Sequence, residues 1–278
     1  MTQRTIQVPT GRISEEISHY MIGLAKLSVH DRVEHAVLVG TATLVYVGSV
    51  PGLLTAAHVL DALPSSGDVA VVLFKSGKLQ KQVIPMKYAV PVTIRGNEFN
   101  QNGPDLGFLR LPFNIAGSLN AIGSFYNLKK WRDSVFSDKK PAPNYVEALV
   151  GMIDELTHEI PVDKPLRRAK SFSAVFCDAK SQNNRESIGF DLVDVAPVAY
   201  ADFALPTSFE GMSGGALWRI YFIESGGIPK FITKHLVGIP FHQSLDAKGQ
   251  KIITCHAASS IYTDLVTKIE ATWPEETK

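Results

Sequence analysis

The sequence predicts an all-β fold, arranged as two six-stranded antiparallel β-barrels with a helix near each end of the chain. Short runs rich in β-branched residues alternate with segments of Gly, Pro, Ser and Asn, which is typical of antiparallel strands and their turns. About six such runs fall on each side of a basic connector, and about six strands are what one closed barrel needs. No strand–helix alternation, the mark of a parallel sheet, occurs along the chain.

An N-terminal helix is expected between Ser14 and about Leu27. Ser14 can cap it, and Glu15 and Glu16 follow in the first turn, where acidic side chains favour the helix dipole. Apolar residues then recur at roughly helical spacing. We expect this helix to pack on the outside of the domain.

The remaining elements follow from the same patterns. Strands of the first barrel are expected at residues 35–47, 53–55, 68–75, 81–91 and 106–111. Strands of the second barrel are expected at residues 147–152, 168–177, 187–193, 216–223, 231–240 and 251–257. A closing helix is expected from Ser260, because Ile261, Leu265, Val266 and Ile269 lie at helical spacing.

These elements divide the chain into five segments. The expected segments are an N-terminal extension with a helix (1–34), the first barrel (35–116), a connector (117–144), the second barrel (145–258) and the C-terminal helix (259–278). The connector carries five Lys and Arg residues close to Tyr126 and Trp131. We interpret this cluster as a solvated surface rather than a nucleic-acid site.

Composition limits the possible functions. The chain has 278 residues, 45% hydrophobic and 20% charged, and a net charge of +1, which argues against general binding to nucleic acids or to a charged membrane surface. No apolar run approaches the roughly 20 residues of a transmembrane helix. The N-terminal residues show no secretory signal pattern. Because only Cys177 and Cys255 are present, we expect two free buried thiols and a cytoplasmic protein.

One serine lies between glycines in a stretch that the rest of the chain is organised around. Residues 209–217 read Phe-Glu-Gly-Met-Ser-Gly-Gly-Ala-Leu. The glycines let the backbone turn tightly and approach a substrate. In such a turn Ser213 can present its Oγ, while the amides of Gly211 and Ser213 can bind a developing oxyanion. An ordinary Ser-Gly turn is the alternative that this stretch alone leaves open.

Two further stretches carry groups that could activate this serine. Residues 53–60 read Leu-Leu-Thr-Ala-Ala-His-Val-Leu and include His58, and residues 103–111 read Gly-Pro-Asp-Leu-Gly-Phe-Leu-Arg-Leu and include Asp105. In their order of His, Asp and Ser, and in their spacing, the three stretches resemble the trypsin-like (chymotrypsin-fold) serine peptidases. The resemblance runs from about residue 39 to residue 273, with Leu-Val-Gly-Ile at 236–239 resembling the strand that lines the substrate cleft.

The resemblance implies a function and the residues that perform it. The protein is expected to be a serine endopeptidase in which Ser213 is the nucleophile, His58 the general base and Asp105 the group that orients His58. The amides of Gly211 and Ser213 would form the oxyanion hole. A protein or peptide is the expected substrate. No cofactor, metal, nucleic acid or membrane is expected to take part.

Departures from the family pattern qualify this expectation. Met212 stands where secreted trypsin relatives carry an aspartate that pairs with a newly released amino terminus, so we expect no activation by that kind of cleavage. The chain is in this respect more similar to bacterial intracellular trypsin-like peptidases. The base of the primary substrate pocket falls near Thr207, not on an aspartate, and Phe241 and His242 fall on its wall. Cleavage after Arg or Lys is therefore not expected.

Three alternatives stay open at this point. Gly-Met-Ser-Gly-Gly at 211–215 also fits the nucleophile elbow of an α/β-hydrolase, in which His256 would be the base. A catalytically silent protease fold that binds peptides or serves as a scaffold is the second. A protein that cleaves only itself or one partner is the third. Because an unregulated peptidase would endanger its cell, we expect narrow selectivity or control by a regulatory partner.

Overall fold

The computed structural model describes residues 10–30, 33–75, 78–96, 102–160, 169–199, 204–226 and 228–278. Residues 1–9 of the expected N-terminal extension, and part of the polar loop before Asp105, lie outside the described residues. Within them the chain is mostly β-structure with few helices, as the sequence predicts.

The strands form two sheets, one in each half of the chain. In the first half, β1 to β8 span Met21–His30, Val33–Val47, Val50–Thr55, Asp68–Lys75, Lys78–Pro85, Val90–Arg95, Asp105–Arg110 and Tyr126–Asn127. In the second half, β9 to β14 span Asn144–Ile160, Ala169–Ser187, Phe190–Pro197, Ala216–Ser225, Ile228–Leu245 and Lys251–His256. Residues 81–91, expected as one strand, instead contain the end of β5, a 3₁₀ turn and the start of β6.

The two sheets close differently. The second is a closed six-stranded barrel in the order β10-β11-β14-β13-β12-β9. The first has eight strands, in the order β5-β4-β1-β2-β3-β7-β6, with the short β8 parallel to β2. Its hydrogen-bonded order does not join β5 to β6 within the described residues, so the expectation of two closed six-stranded barrels is not confirmed for this half.

Helices lie near both ends of the chain and between strands. They are α1 (Thr10–Ile17), α2 (Ala57–Ala62), α3 (Phe113–Asn120), α4 (Leu128–Phe136) and α5 (Val266–Thr272), the last continuing a π-helical segment at Ser260–Leu265. The predicted C-terminal helix is thus present, and its apolar residues are buried: Ile261, Leu265, Val266 and Ile269.

The N-terminal helix is shorter than predicted. It ends at Ile17, and the stretch from Met21 to Leu27, expected to continue it, belongs to β1, where Met21 lies opposite Thr43 of β2. Both faces of β1 are covered, since Met21 and Ile22 belong to different apolar clusters. A strand buried on both faces is apolar throughout, and that pattern is easily mistaken for a helical stripe.

The connector is folded onto both halves of the molecule. It contains β8 and α4, and Lys129 of α4 pairs with Glu270 of α5 at 2.8 Å. Its other cationic side chains are exposed: Lys130, Arg132, Lys139 and Lys140. The cluster therefore has the solvated character expected from the sequence.

One apolar cluster joins the two sheets. It contains Leu54 and Phe108 of the first sheet together with Val150 and Trp218 of the second, all of them inaccessible to solvent. Tyr126 packs edge-on against the indole ring of Trp218, with 5.2 Å between ring centroids. Because the sheets share this core, residues on either side of their junction are held in fixed relative positions.

Both cysteines are buried and unpaired, as expected. Burial raises the pKa of the Cys177 thiol to about 12, so it is protonated at neutral pH. No helix in the described ranges is long and apolar enough to cross a membrane.

Candidate active site

The turn from β3 into α2 brings His58 to the side of Asp105. The strand β3 is buried along its whole length and ends at Thr55, so His58 lies in the first turn of α2. Asp105 begins β7, which pairs antiparallel with β3, placing Thr55 opposite Gly107. Two neighbouring strands of one sheet therefore position both residues, His58 just after the end of β3 and Asp105 at the start of β7.

Two hydrogen bonds join His58 and Asp105. The backbone N–H of His58 donates to Oδ1 of Asp105 at 2.8 Å, and the imidazole Nδ1 lies 2.5 Å from Oδ2. Because a carboxylate only accepts, the proton of this second bond is on Nδ1, which leaves the lone pair of a neutral ring on Nε2. The Asp105 side chain is 7% exposed and that of His58 is 33% exposed, so the histidine can reach a substrate.

Three amides of the loop that carries Ser213 have backbone acceptors among the described residues, and two do not. The N–H groups of Met212, Gly214 and Gly215 donate to the carbonyls of Phe209, Pro240 and Met212, respectively. Within the described part of the chain, no acceptor is found for the amides of Gly211 and Ser213. These are the two amides that the sequence predicts to form an oxyanion hole.

The peptide groups that carry these two amides are fixed through their carbonyl oxygens. The carbonyl of Glu210, in the same peptide group as the Gly211 amide, accepts from the N–H of Asp154 at 2.9 Å. The carbonyl of Met212, in the same peptide group as the Ser213 amide, accepts from Gly215 at 2.8 Å. Both N–H groups are thus oriented before any ligand binds.

Thr41 of β2 ties this loop to the first sheet. It is fully buried, and its N–H donates to the carbonyl of Ser213 at 2.9 Å. Its hydroxyl donates to the carbonyl of Gly211 at 2.7 Å and accepts from the N–H of Met152 at 2.8 Å. Thr41 therefore links its own strand β2 to β9 and to the serine loop.

The Ser213 loop packs directly against the segment that contains the histidine. A Cβ atom on Gly214, whose φ is +81°, would overlap Oγ1 of Thr55 and a neighbouring carbonyl oxygen. A Cβ atom on Gly40 would lie 2.7 Å from Val59 and 3.1 Å from the carbonyl oxygen of Ser213. Thr55, before the histidine, therefore contacts the serine loop at Gly214. Val59, after the histidine, contacts Gly40, which itself lies against the carbonyl of Ser213.

A cleft of about 270 Å³ opens beside Ser213. Its lining is drawn from the loop before the serine and from β13 and β14: Ser208, Phe209, Glu210, Met212, Ser213, Pro240, Phe241, His242, Gln243 and Ile253. Two of the three expected pocket residues, Phe241 and His242, are on its wall. Thr207 is not among the lining residues.

His242 connects this cleft to the His58–Asp105 pair. Burial lowers its pKa, the negative charge of Asp105 acts in the opposite direction, and His58 would lower it further whenever that ring is protonated. His242 thus lies within electrostatic range of both residues. The cleft, the serine and the histidine–aspartate pair therefore occupy one region of the molecule.

Glu155 of β9 fixes the edge of the cleft. Its carboxylate accepts from the hydroxyl of Thr207 at 2.6 Å and from the amide of Ser208 at 2.7 Å, and also from the amide of Thr207. The hydroxyl of Thr207, followed by the two amides, lowers the pKa of Glu155. Thr207 thus contributes to the shape of the cleft through a contact that faces away from it.

Met212 packs into the core of the barrel. Its side chain is 1% exposed and belongs to the apolar cluster that includes Leu149 and Phe209. Gly151 makes room for it, since a Cβ atom there would lie 2.6 Å from Cγ of Met212. The position thus makes an apolar contact, not an ion pair.

The alternative of an α/β-hydrolase is contradicted by the chain after Ser213. That fold requires a helix directly after the nucleophile. Here β12 begins at Ala216 and pairs antiparallel with β9 and β13.

Comparisons with known proteins find a remote structural similarity. One solved structure that the chain is similar to is that of the serine endoprotease from Yersinia pestis, with a TM-score of 0.46 and 12% identity over 95% of this chain and 68% of that chain. No protein-family model and no curated protein matches the chain. At this TM-score and identity the likeness carries no argument about function, which must come from the site itself.

Replacing Gly214 with alanine should damage the junction of the two sheets. The Gly214→Ala variant should lose about 3 kcal/mol or more of unfolding free energy, because the new Cβ atom both strains a left-handed backbone and overlaps Thr55. Gly189→Ala is the matched control: its φ is +77° but nothing lies within 4 Å, so it should lose only about 1–2 kcal/mol. Urea unfolding measures both, and equal losses would contradict the close packing.

The anchor at Glu155 should be lost in acid. Because the pKa of Glu155 is lowered in the folded protein, its contribution is complete above the ordinary glutamate value of about 4.3 and is lost as pH falls through the lowered value. The amide signals of Thr207 and Ser208 should shift below that pH in an NMR titration, and not in Glu155→Gln. A transition at or above the ordinary glutamate value would contradict this contact.

Proposed function

We propose that the protein is a serine endopeptidase in which Ser213 is the nucleophile, His58 the general base and Asp105 the residue that orients His58. The observation that carries the proposal is the pair of fixed amides, Gly211 and Ser213, that have no acceptor within the described residues. Two oriented, partly exposed N–H donors beside a serine can bind an oxyanion that forms there. The His58–Asp105 pair beside the same loop supplies the base that a serine requires.

The geometry supports acyl transfer in two steps. Nε2 of His58 takes the proton of Ser213 as Oγ bonds to the substrate carbonyl carbon, and the resulting oxyanion accepts from the amides of Gly211 and Ser213. His58 then returns the proton to the leaving amine as the C–N bond breaks. In the second step His58 takes a proton from water as the water oxygen bonds to the acyl carbon. His58 then gives this proton to Oγ of Ser213 as the acyl C–O bond breaks, which releases the acid and free Ser213.

We propose that the oxyanion hole forms without a trypsin-type activating cleavage. The support is that both peptide groups and the neighbouring carbonyls are held by Asp154, Gly215 and Thr41, all described residues of the folded chain. Met212 contributes by apolar burial. Regulation would then act through substrate access or a protein partner.

The cleft favours an uncharged substrate side chain. Its buried walls are apolar, from Phe209, Met212, Phe241 and Ile253, while Glu210 is exposed to water. We therefore propose a peptide substrate without Arg or Lys at the position before the cleaved bond. Narrow selectivity or partner control, a reducing cytoplasmic location and the bacterial intracellular type are further parts of this proposal.

Labelling with a fluorophosphonate probe tests the proposal. The wild type should form one covalent adduct on Ser213, found by mass spectrometry, because the probe reacts with an activated serine. Ser213→Ala should not label, and His58→Ala should label at least about a hundredfold more slowly. Ser118→Ala, with an exposed serine of α3 removed, should label like the wild type.

If the folded wild type does not label, the activated-serine proposal fails. The protein would then fit the alternative of a silent protease fold that binds peptides. An adduct on a serine other than Ser213 would also contradict the assignment.

Thr41 should be required for the shape of the oxyanion hole. Thr41→Val keeps the shape of the side chain but removes the hydroxyl, leaving the Gly211 carbonyl and the Met152 amide unpaired. The labelling rate should fall by about tenfold to a hundredfold. Thr41→Ser keeps the hydroxyl and should stay within about threefold of the wild type. Equal rates for the valine variant and the wild type would contradict this role.

A further inference from the structure

A second buried histidine contacts the acid of the proposed triad from the other sheet. The backbone N–H of Asp105 donates to Nε2 of His256 at 2.8 Å. His256 is the last residue of β14 and is inaccessible to solvent. His256 takes no part in the reaction described above, yet it binds the main chain of Asp105, the residue that orients His58.

The contact fixes the protonation state of His256. To accept from a backbone N–H, Nε2 must carry a lone pair, so the proton of the neutral ring is on Nδ1. Burial lowers the pKa of His256 to about 4, against the opposing charge of Asp105, so the ring is neutral at pH 7. Nδ1 has no hydrogen-bond partner in the described part of the chain, so only the Asp105 contact selects the tautomer.

Aromatic side chains hold the ring in place. Phe241 lies against it with 4.7 Å between centroids, and Phe190 meets it edge-on at 6.3 Å. Gly103 lies beside the ring, where a Cβ atom would be 3.4 Å from Cε1 of His256 and 3.5 Å from Phe241. Because the interior is close-packed, the imidazole cannot turn away without displacing these neighbours.

A continuous set of hydrogen bonds leads from this contact to the serine loop. His256 pairs with Ile239 of β13. The carbonyl of the next residue, Pro240, accepts at 2.8 Å from the amide of Gly214, the residue that follows Ser213. The same strand pair therefore holds the serine loop and the main chain of Asp105.

We propose that His256 is a positioning residue: as the Nδ1–H tautomer it holds the main chain of Asp105 against the second barrel and so aligns the His58–Asp105 pair with Ser213. This inference rests on the proposed function. Its consequence is that the two halves of the site are aligned by an acceptor on the ring of residue 256, and not by burial of an aromatic ring alone.

The tautomer is tested first, by a measurement that does not depend on activity. Long-range ¹H–¹⁵N NMR of the histidine rings at pH 7 should show an Nδ1–H ring that is missing in His256→Gln. An Nε2–H tautomer for His256 overturns the inference, because that nitrogen could not accept from Asp105.

The labelling rate then tests positioning. His256→Leu removes the acceptor, and the rate of fluorophosphonate labelling at Ser213 should fall about tenfold. His256→Gln places an amide oxygen near the position of Nε2 and should stay within about threefold. His235→Leu is the control: His235 is another buried histidine of the barrel, bonded to Ser134 at 3.1 Å, and its loss should leave the rate unchanged.

The outcomes separate the two proposals. A wild type that does not label refutes the proposed function, and the NMR result still decides whether His256 holds Asp105. A wild type that labels, with His256→Leu equally fast, overturns the inference alone. Equal losses of labelling rate in His256→Leu and His256→Gln also overturn the inference, since they would show that only the packing of the ring matters.

Discussion

The hydrogen bonds of Thr41 are the interaction on which the rest of the site depends. The residue belongs to the first sheet, yet its amide and hydroxyl bind the carbonyls on both sides of the serine loop, at Ser213 and Gly211. A proposed triad split between two sheets works only if the sheets are held to within a fraction of an ångström. Buried, fully paired polar contacts provide that accuracy, because any shift leaves an unpaired group away from water.

Much of the site could be predicted because its residues lie in locally distinctive segments. A histidine after an apolar strand, an aspartate at the start of another and a serine among glycines each follow from short stretches of sequence. The structure brings His58 and Asp105 into contact because β3, which leads into the helix of His58, is the neighbour of β7 in one sheet. The serine loop has its shape because Gly211 and Gly214 take up left-handed conformations that other residues avoid.

What the sequence could not reveal depends on distant partners. In the sequence Thr41 is indistinguishable from an ordinary strand residue, because the carbonyl that its hydroxyl binds lies 170 residues further along the chain. His256 accepts from an amide 151 residues away, and Glu155 binds a loop about 50 residues further on. The prediction of a helix after Met21 is wrong for a related reason, since the distant strands β2 and β4, which pair with this stretch on either side, decide that it is a strand.

The central claim is that the oxyanion hole is already formed in the folded, uncleaved chain. A crystal structure of the full-length protein after reaction with a phosphonate tests it most directly. The account predicts an adduct on Ser213 whose phosphonyl oxygen lies about 2.7–3.1 Å from both the Gly211 and the Ser213 amide nitrogens, with the loop otherwise unchanged. An adduct whose oxygen contacts neither amide, or a loop that must rebuild to make the contact, would contradict it.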